Sequence, residues 1–265
     1  MEEPVVDLSG LTAEAKPIVR QVAHVYLQHT APWFIGLLVH GSAVKGGIIP
    51  NCSDIDFQLY LDRAAFTWQG QLPLELGFAV RRDLEGIRLS PFRYVQCYAR
   101  TGESEENWVG PIPGAYHLIA GRLPVREATA EDLRASARLA LAELNPAPTF
   151  IQGDLFGPGG VLLQRNLRLL CTKVWPVLYQ VLTLLEEETD PIGIWCLTKE
   201  QAMERLPSKT ALQETIRAFY RAVWNYYPAE DSLENALAVI ESGVAFLGAA
   251  SSWWRYADGR SQGQQ

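Results

Sequence analysis

Apolar residues recur at helical spacing from Thr12 to His29, where Ile18, Val22, Val25 and Tyr26 share a face, so the pattern predicts an amphipathic helix. Pro32 breaks it. Phe34 to Val39 is short and almost wholly apolar, which fits a buried strand. Ile55 to Leu61 alternates well enough for a second strand, and Gly77 to Arg81, Phe92 to Arg100 and Tyr116 to Ala120 are weaker strand candidates. From Thr129 the character changes. Thr129-Ala130-Glu131-Asp132 reads as a helix start with acidic first-turn residues, and Leu133 to Leu144 continues it. Asn145 to Gly160, rich in Pro and Gly, is expected to be a loop. Helical patterns follow over Val161 to Glu188, Lys199 to Leu206, Ala211 to Tyr226 and Ser232 to Ala249, with Pro191, Pro207 and Pro228 in the gaps. The polar tail Gly259 to Gln265 is expected to fray. The chain therefore reads as a mixed α/β N-terminal domain, residues 1–128, and an all-helical C-terminal domain, residues 129–265, with no internal repeat.

Composition narrows the function. Twenty-three basic against thirty acidic residues leave a formal net charge of −7. That balance disfavours a nucleic-acid partner, whose phosphates demand a basic stripe. It suits a small polar or cationic substrate better. Cys52, Cys97, Cys171 and Cys196 are far apart and form no zinc or disulfide pattern. Met1-Glu2-Glu3-Pro4 lacks a secretory n-region, and no apolar run approaches the roughly 18 residues of a spanning helix. A cytoplasmic protein without a membrane partner is the expectation.

The chemistry concentrates at His40-Gly41-Ser42 and, after eleven intervening residues, Asp54-Ile55-Asp56. Residues i and i+2 of a strand point to one face, so Asp54 and Asp56 present their carboxylates together while Ile55 and Phe57 face the core. Two such carboxylates repel unless a cation sits between them, and hard oxygen donors suit Mg²⁺. Two such ions clamp the attacking and leaving oxygens of an in-line displacement at phosphorus. Gly41 tolerates the φ values of a phosphate-cradling turn and lets backbone N–H groups approach a triphosphate. Ser42 adds a hydroxyl, a short helix from Ala43 would add its positive end, and Ser53 is a further candidate for a phosphate oxygen. Either motif alone is weak; both together, in order and in strand context, form a specific signal. His40 is expected to pack or hydrogen-bond at the strand end, His24, His29 and His117 to be structural, and Lys45 to be a surface lysine.

These two motifs resemble the signature of the nucleotidyltransferase superfamily, the fold of polymerase β's catalytic core. Arg165-Asn166, Trp175 nine residues later and Ala202-Met203-Glu204-Arg205-Leu206-Pro207 resemble the helical domain of bacterial aminoglycoside 3″-adenylyltransferases, the streptomycin and spectinomycin resistance enzymes. The resemblance implies an α/β nucleotidyltransferase domain with a mixed sheet and flanking helices, followed by an all-α helical bundle. It implies an active site in the cleft between them, with ATP and Mg²⁺ bound and AMP passing to a hydroxyl of a small acceptor. Carried over, Gly41 and Ser42 bind the nucleotide and Asp54 and Asp56 hold metal. The adenine-stacking tyrosine falls on Tyr220, for which helix packing is an equal reading, and the phosphate-binding lysine on Lys199.

Two departures stand out. The family's general-base glutamate falls on Gln96, and a neutral amide cannot take up a proton. Another carboxylate serves (Asp83, Glu85 and Glu103 are nearest in sequence), or a metal-bound alkoxide forms without a base, or the chemistry is lost. The acidic residues that grip a cationic drug just before the Arg-Asn pair are Leu163-Gln164 here, with Asp154 and Glu186-Glu187-Glu188 as compensating candidates. A catalytically impaired nucleotide-binding or regulatory module is thus the alternative to an enzyme. A toxin–antitoxin nucleotidyltransferase acting on protein or tRNA ranks third.

Overall fold

A computed structural model describes residues 5–103, 108–155, 160–185, 190–228 and 232–262; Glu186-Glu187-Glu188 and the side chain of Asp154 lie outside the described residues. The chain divides into two compact units, Met1–Ala128 and Thr129–Gln265.

In the first unit, α1 (Ala15–Thr30) buries Ile18, Val19, Val22, Ala23 and Tyr26, the face its apolar spacing dictates. A 3₁₀ turn over Ala31–Trp33 carries Pro32 and feeds β1 (Phe34–His40). The short helix α2 (Ser42–Lys45) follows, then β2 (Ile55–Leu61), α3 (Leu74–Leu84), β3 (Val95–Arg100) and β4 (Tyr116–Gly121). The sheet order is β3-β2-β1-β4, with β1 antiparallel to both neighbours and β2 parallel to β3. A parallel pair needs a crossover, and the segment containing α3 supplies it.

One sheet face holds the core. Leu37, Val39, Ile55, Phe57, Leu59 and Leu61 pack with α1, and Val95, Cys97 and Ala99 of β3 join them. The Tyr26 and Phe57 rings meet edge to face, centroids 5.4 Å apart. Ile55 and Phe57 are wholly buried. Each contributes about 1.5–3 kcal/mol through that burial. A one-residue slip of β2 would replace them with Asp54 and Asp56, so the core pins the register that turns the carboxylates outward.

Gly77 to Arg81, expected as a strand, lies inside α3. The side chains of Val80 and Leu84, four apart, pack against the α1-side core, and that contact overrides the local strand propensity of Phe78 and Val80.

Among its described residues the regular structure of the second unit is helical. It contains α4 (Ala130–Ala142), α5 (Thr149–Leu155), α6 (Gly160–Leu185), α7 (Pro191–Trp195), α8 (Lys199–Arg205), α9 (Ala211–Tyr226) and α10 (Leu233–Gln262). Capping boxes start two of them: Thr129 with Asp132 on α4, and Thr198 with Gln201 on α8. Three expectations are corrected. The Asn145–Gly160 loop contains α5. The five-residue α7 begins at Pro191, with the Asp190 side chain accepting from the N–H groups of Ile192 and Gly193. The last helix runs past Ala249 to Gln262, because no Gly or Pro interrupts residues 250–258. By length and composition, Leu233–Ala257 is also apolar enough to cross a membrane, against the expectation of no such segment. Its apolar side chains have a use within the unit: α10 packs on α9 and α6, burying Val239, Phe246, Leu247 and Ala250.

Candidate functional site

Strand β1 ends in Gly41, whose φ of 77° and ψ of −143° suit only a residue without Cβ. The bend is fixed by backbone bonds. Gly41 N–H donates to Ala115 O at 3.3 Å, and Gly41 O accepts from Val44 N–H at 3.1 Å and Lys45 N–H at 2.9 Å. The N–H groups of Ser42 and Ala43, opening α2, have no acceptor within that helix.

The turn and the acidic pair are neighbours. Ser42 Oγ donates to Asp54 O at 3.4 Å, tying the turn to the residue that precedes β2. A Cβ placed on Gly41 would lie 3.4 Å from Asp56 Oδ2, so the carboxylate stands directly over the bend. Both aspartates are half-buried. Ser53 is buried, and its hydroxyl accepts from Ile49 N–H at 2.9 Å, closing the connection into β2.

Pairing registers lay out a row across the sheet. Gln96 faces Asp56, Asp56 faces His40, and His40 faces Tyr116. Strand period two puts Gln58, Tyr60, Tyr98 and Arg100 on this same face. His40 is held neutral, its pKa pushed down to about 4 by burial and by the charges of Lys45 and Arg100, against the pull of Asp54. The Gln96 side-chain amide donates to the Tyr98 hydroxyl. Tyr116 donates to Glu127 Oε1 at 2.7 Å, and burial with that carboxylate raises its pKa.

None of the three alternative carboxylates stands beside Asp56. Asp83 bonds His29 of α1 at 2.7 Å and Glu85 pairs with Arg81 at 2.5 Å, both on the helix layer behind the core face. Glu103 follows β3, whose first residues, not its last, flank Asp56.

The donor chemistry fits a hard divalent cation. Asp54 and Asp56 are oxygen ligands, and no cluster of three His, Cys, Asp or Glu occurs among the described residues. Two carboxylates of this kind would suit Mg²⁺.

In the second unit, Lys199 and Tyr220 gather around one indole. Lys199 Nζ lies 5.7 Å from the Trp175 ring centroid, and the Tyr220 ring meets Trp175 edge-on at 6.2 Å. Tyr220 also meets Trp224 at 6.2 Å and donates its hydroxyl to Glu200. Burial and that carboxylate push the Tyr220 pKa up to about 12, so the phenol stays protonated.

Sequence reasoning did not single out Tyr98, Arg100 and Trp108. The Arg100 guanidinium lies 5.0 Å from the Trp108 ring centroid and 6.0 Å from that of Tyr98. The alternation Gln96, Tyr98, Arg100 was a usable signal, because period two carries Arg100 onto the face of the position opposite Asp56.

No family profile matches the sequence, and no curated protein sequence does. A solved structure does resemble it: the spectinomycin adenyltransferase AAD(9) of Enterococcus faecalis, determined with ATP and spectinomycin. The TM-score is 0.53 at 16% identity, over 89% of this chain and 99% of that one. At that identity the likeness is one of fold. The shared architecture is a mixed-sheet α/β unit followed by a helical one.

Proposed function

We propose that this protein is a magnesium-dependent nucleotidyltransferase that passes AMP from ATP to an oxygen of a small hydroxylated acceptor, an aminoglycoside-like molecule being one candidate. The observation that carries the reading is the approach of Asp56 Oδ2 to the Gly41 bend, with Ser42 tied to Asp54 beside it. Fold likeness to an adenyltransferase solved with ATP supports the donor.

In this reading the backbone of Gly41 and Ser42 orients the triphosphate tail, and the Ser42 hydroxyl adds a donor. Asp54 and Asp56 hold Mg²⁺, which when bound neutralises charge developing on the phosphoryl oxygens. His40, neutral beside Asp56, adds no positive charge to compete for those carboxylates. Lys199 and Tyr220 are carried in the proposal as nucleotide contacts, on the family resemblance. The acidic surface and the helical role of Leu233–Ala257 favour a cytoplasmic setting, with neither nucleic acid nor membrane as partner.

The test is ATP with Mg²⁺ and a panel of aminoglycosides, read as pyrophosphate release. Turnover that Asp54→Asn reduces at least about 100-fold supports the enzyme. A second reading, a nucleotide-binding or regulatory module, is favoured by one observation: an amide, Gln96, stands opposite Asp56. Tight Mg·ATP binding without turnover on any acceptor would select it.

A further inference from the structure

We infer that the oxygen receiving AMP belongs to an acid already ionised at neutral pH, a carboxylate or a phosphate monoester, held along β3 by Gln96 and Arg100. This rests on the nucleotidyl-transfer reading above and names its acceptor class.

A hydroxyl must lose its proton as it attacks, and the side chain opposite Asp56 cannot accept one. Asp83 and Glu85 sit behind the core face, Glu103 lies past the far end of β3, and Glu127 is engaged by the Tyr116 hydroxyl, two strands from Asp56. An ionised acid has no proton to lose. It needs hydrogen-bond donors and positive charge, and this strip of the sheet supplies both. The Gln96 amide has two N–H donors, one directed at Tyr98. Two residues beyond Tyr98, Arg100 carries a permanent charge in a planar fork that matches carboxylate or phosphate. The Trp108 and Tyr98 rings flank that guanidinium at 5.0 and 6.0 Å. To a polycation, β3 itself offers Arg100 and no acid, since the strand reads Val-Gln-Cys-Tyr-Ala-Arg.

The step balances without a base. An acceptor oxyanion attacks the α-phosphorus, a new P–O bond forms as the bond to the α–β bridging oxygen breaks, and that electron pair leaves with pyrophosphate. No proton moves.

The experiment incubates the full chain with Mg·ATP and two matched panels, carboxylic acids and phosphate monoesters, beside neutral polyols and aminoglycosides. Pyrophosphate release with an acid is expected; hydroxylamine trapping marks a carboxylate acceptor, and a stable phosphoanhydride marks a phosphate one. Gln96→Glu should cut kcat/KM for the acid at least about tenfold, because it sets like charge against like. Arg100→Gln should raise KM for the acid roughly 10- to 100-fold. Turnover of polyols or aminoglycosides with acids silent overturns the inference and leaves the nucleotidyltransferase standing, as does a gain in rate from Gln96→Glu. Mg·ATP binding with no acid turned over also counts against it. Loss of any Asp54-dependent Mg·ATP binding removes both readings.

Discussion

Substituting Gly41 by alanine tests how the bend and the carboxylate depend on each other, and Gly46→Ala provides the control. Gly41 has φ 77° and ψ −143°; Gly46, just after α2, has φ 82° and ψ −160°. Both conformations belong to a region that side chains essentially exclude, at a cost of about 1–3 kcal/mol each. The two sites differ in what a methyl group meets. At position 41 it lies 3.4 Å from Asp56 Oδ2, an ordinary van der Waals contact; at position 46 nothing lies within 4 Å. The strain should therefore lower stability alike, by several degrees in melting temperature for a domain of this size. Nucleotide binding should separate them. A methyl group against Oδ2 displaces a water or a ligand from that oxygen, so Gly41→Ala should weaken Mg·ATP binding about 10- to 100-fold, the scale of one lost charge-assisted contact. Gly46→Ala should leave the affinity within about threefold, a difference below 1 kcal/mol. Differential scanning calorimetry and isothermal titration with Mg·ATP read the two quantities. If Gly41→Ala melts with the wild type, the backbone argument is wrong; equal affinity losses in both variants would refute the carboxylate contact.

Three further outcomes follow from packing and titration. Gly36→Ala would put a Cβ 2.1 Å from the backbone oxygen of Arg122, so strand β1 or the segment after β4 must shift. The cost should be about 2–4 kcal/mol by urea unfolding, and less than about 1 kcal/mol would contradict the close approach. His40 has a folded pKa near 4, below its ordinary 6.5, so the unfolded chain binds its proton first. Metal-free stability should thus be full above about pH 6.5 and decline as pH falls toward 4. His40→Gln should flatten that decline between pH 7 and pH 5, and an unchanged slope would show that another group governs it. Burial pushes the Cys97 thiol up to about 12, so thiolate is negligible at pH 8. Cys97 and Cys196 are both half-exposed, so native-state alkylation followed by peptide mapping should label Cys196 before Cys97 on account of the raised Cys97 thiol alone; equal labelling would count against a thiol facing the core.

Local patterns were sufficient where one short segment decides the outcome. Alternation over Ile55 to Leu61 is visible in the residues themselves, and so is the apolar face of α1, because period two and period 3.6 are properties of a single segment. The Asn145–Gly160 region failed for a related reason: its Pro and Gly suggested a loop, yet seven residues between them still form α5. For Gly77 to Arg81 the deciding contact is tertiary, the seating of Val80 and Leu84 against the core of another helix and the sheet.

The glycine-serine bend after β1 and the i, i+2 spacing of the Asp54 and Asp56 carboxylates were legible in the sequence alone, since both follow from residue type and chain geometry. Which strand lies beside those carboxylates was not. The pairing of Asp56 with Gln96, which brings the Gln96, Tyr98 and Arg100 face of β3 alongside Asp56, depends on a parallel register between segments some forty residues apart. Packing of Ile55, Phe57, Val95 and Cys97 against a shared core sets that register, and no local signal encodes it.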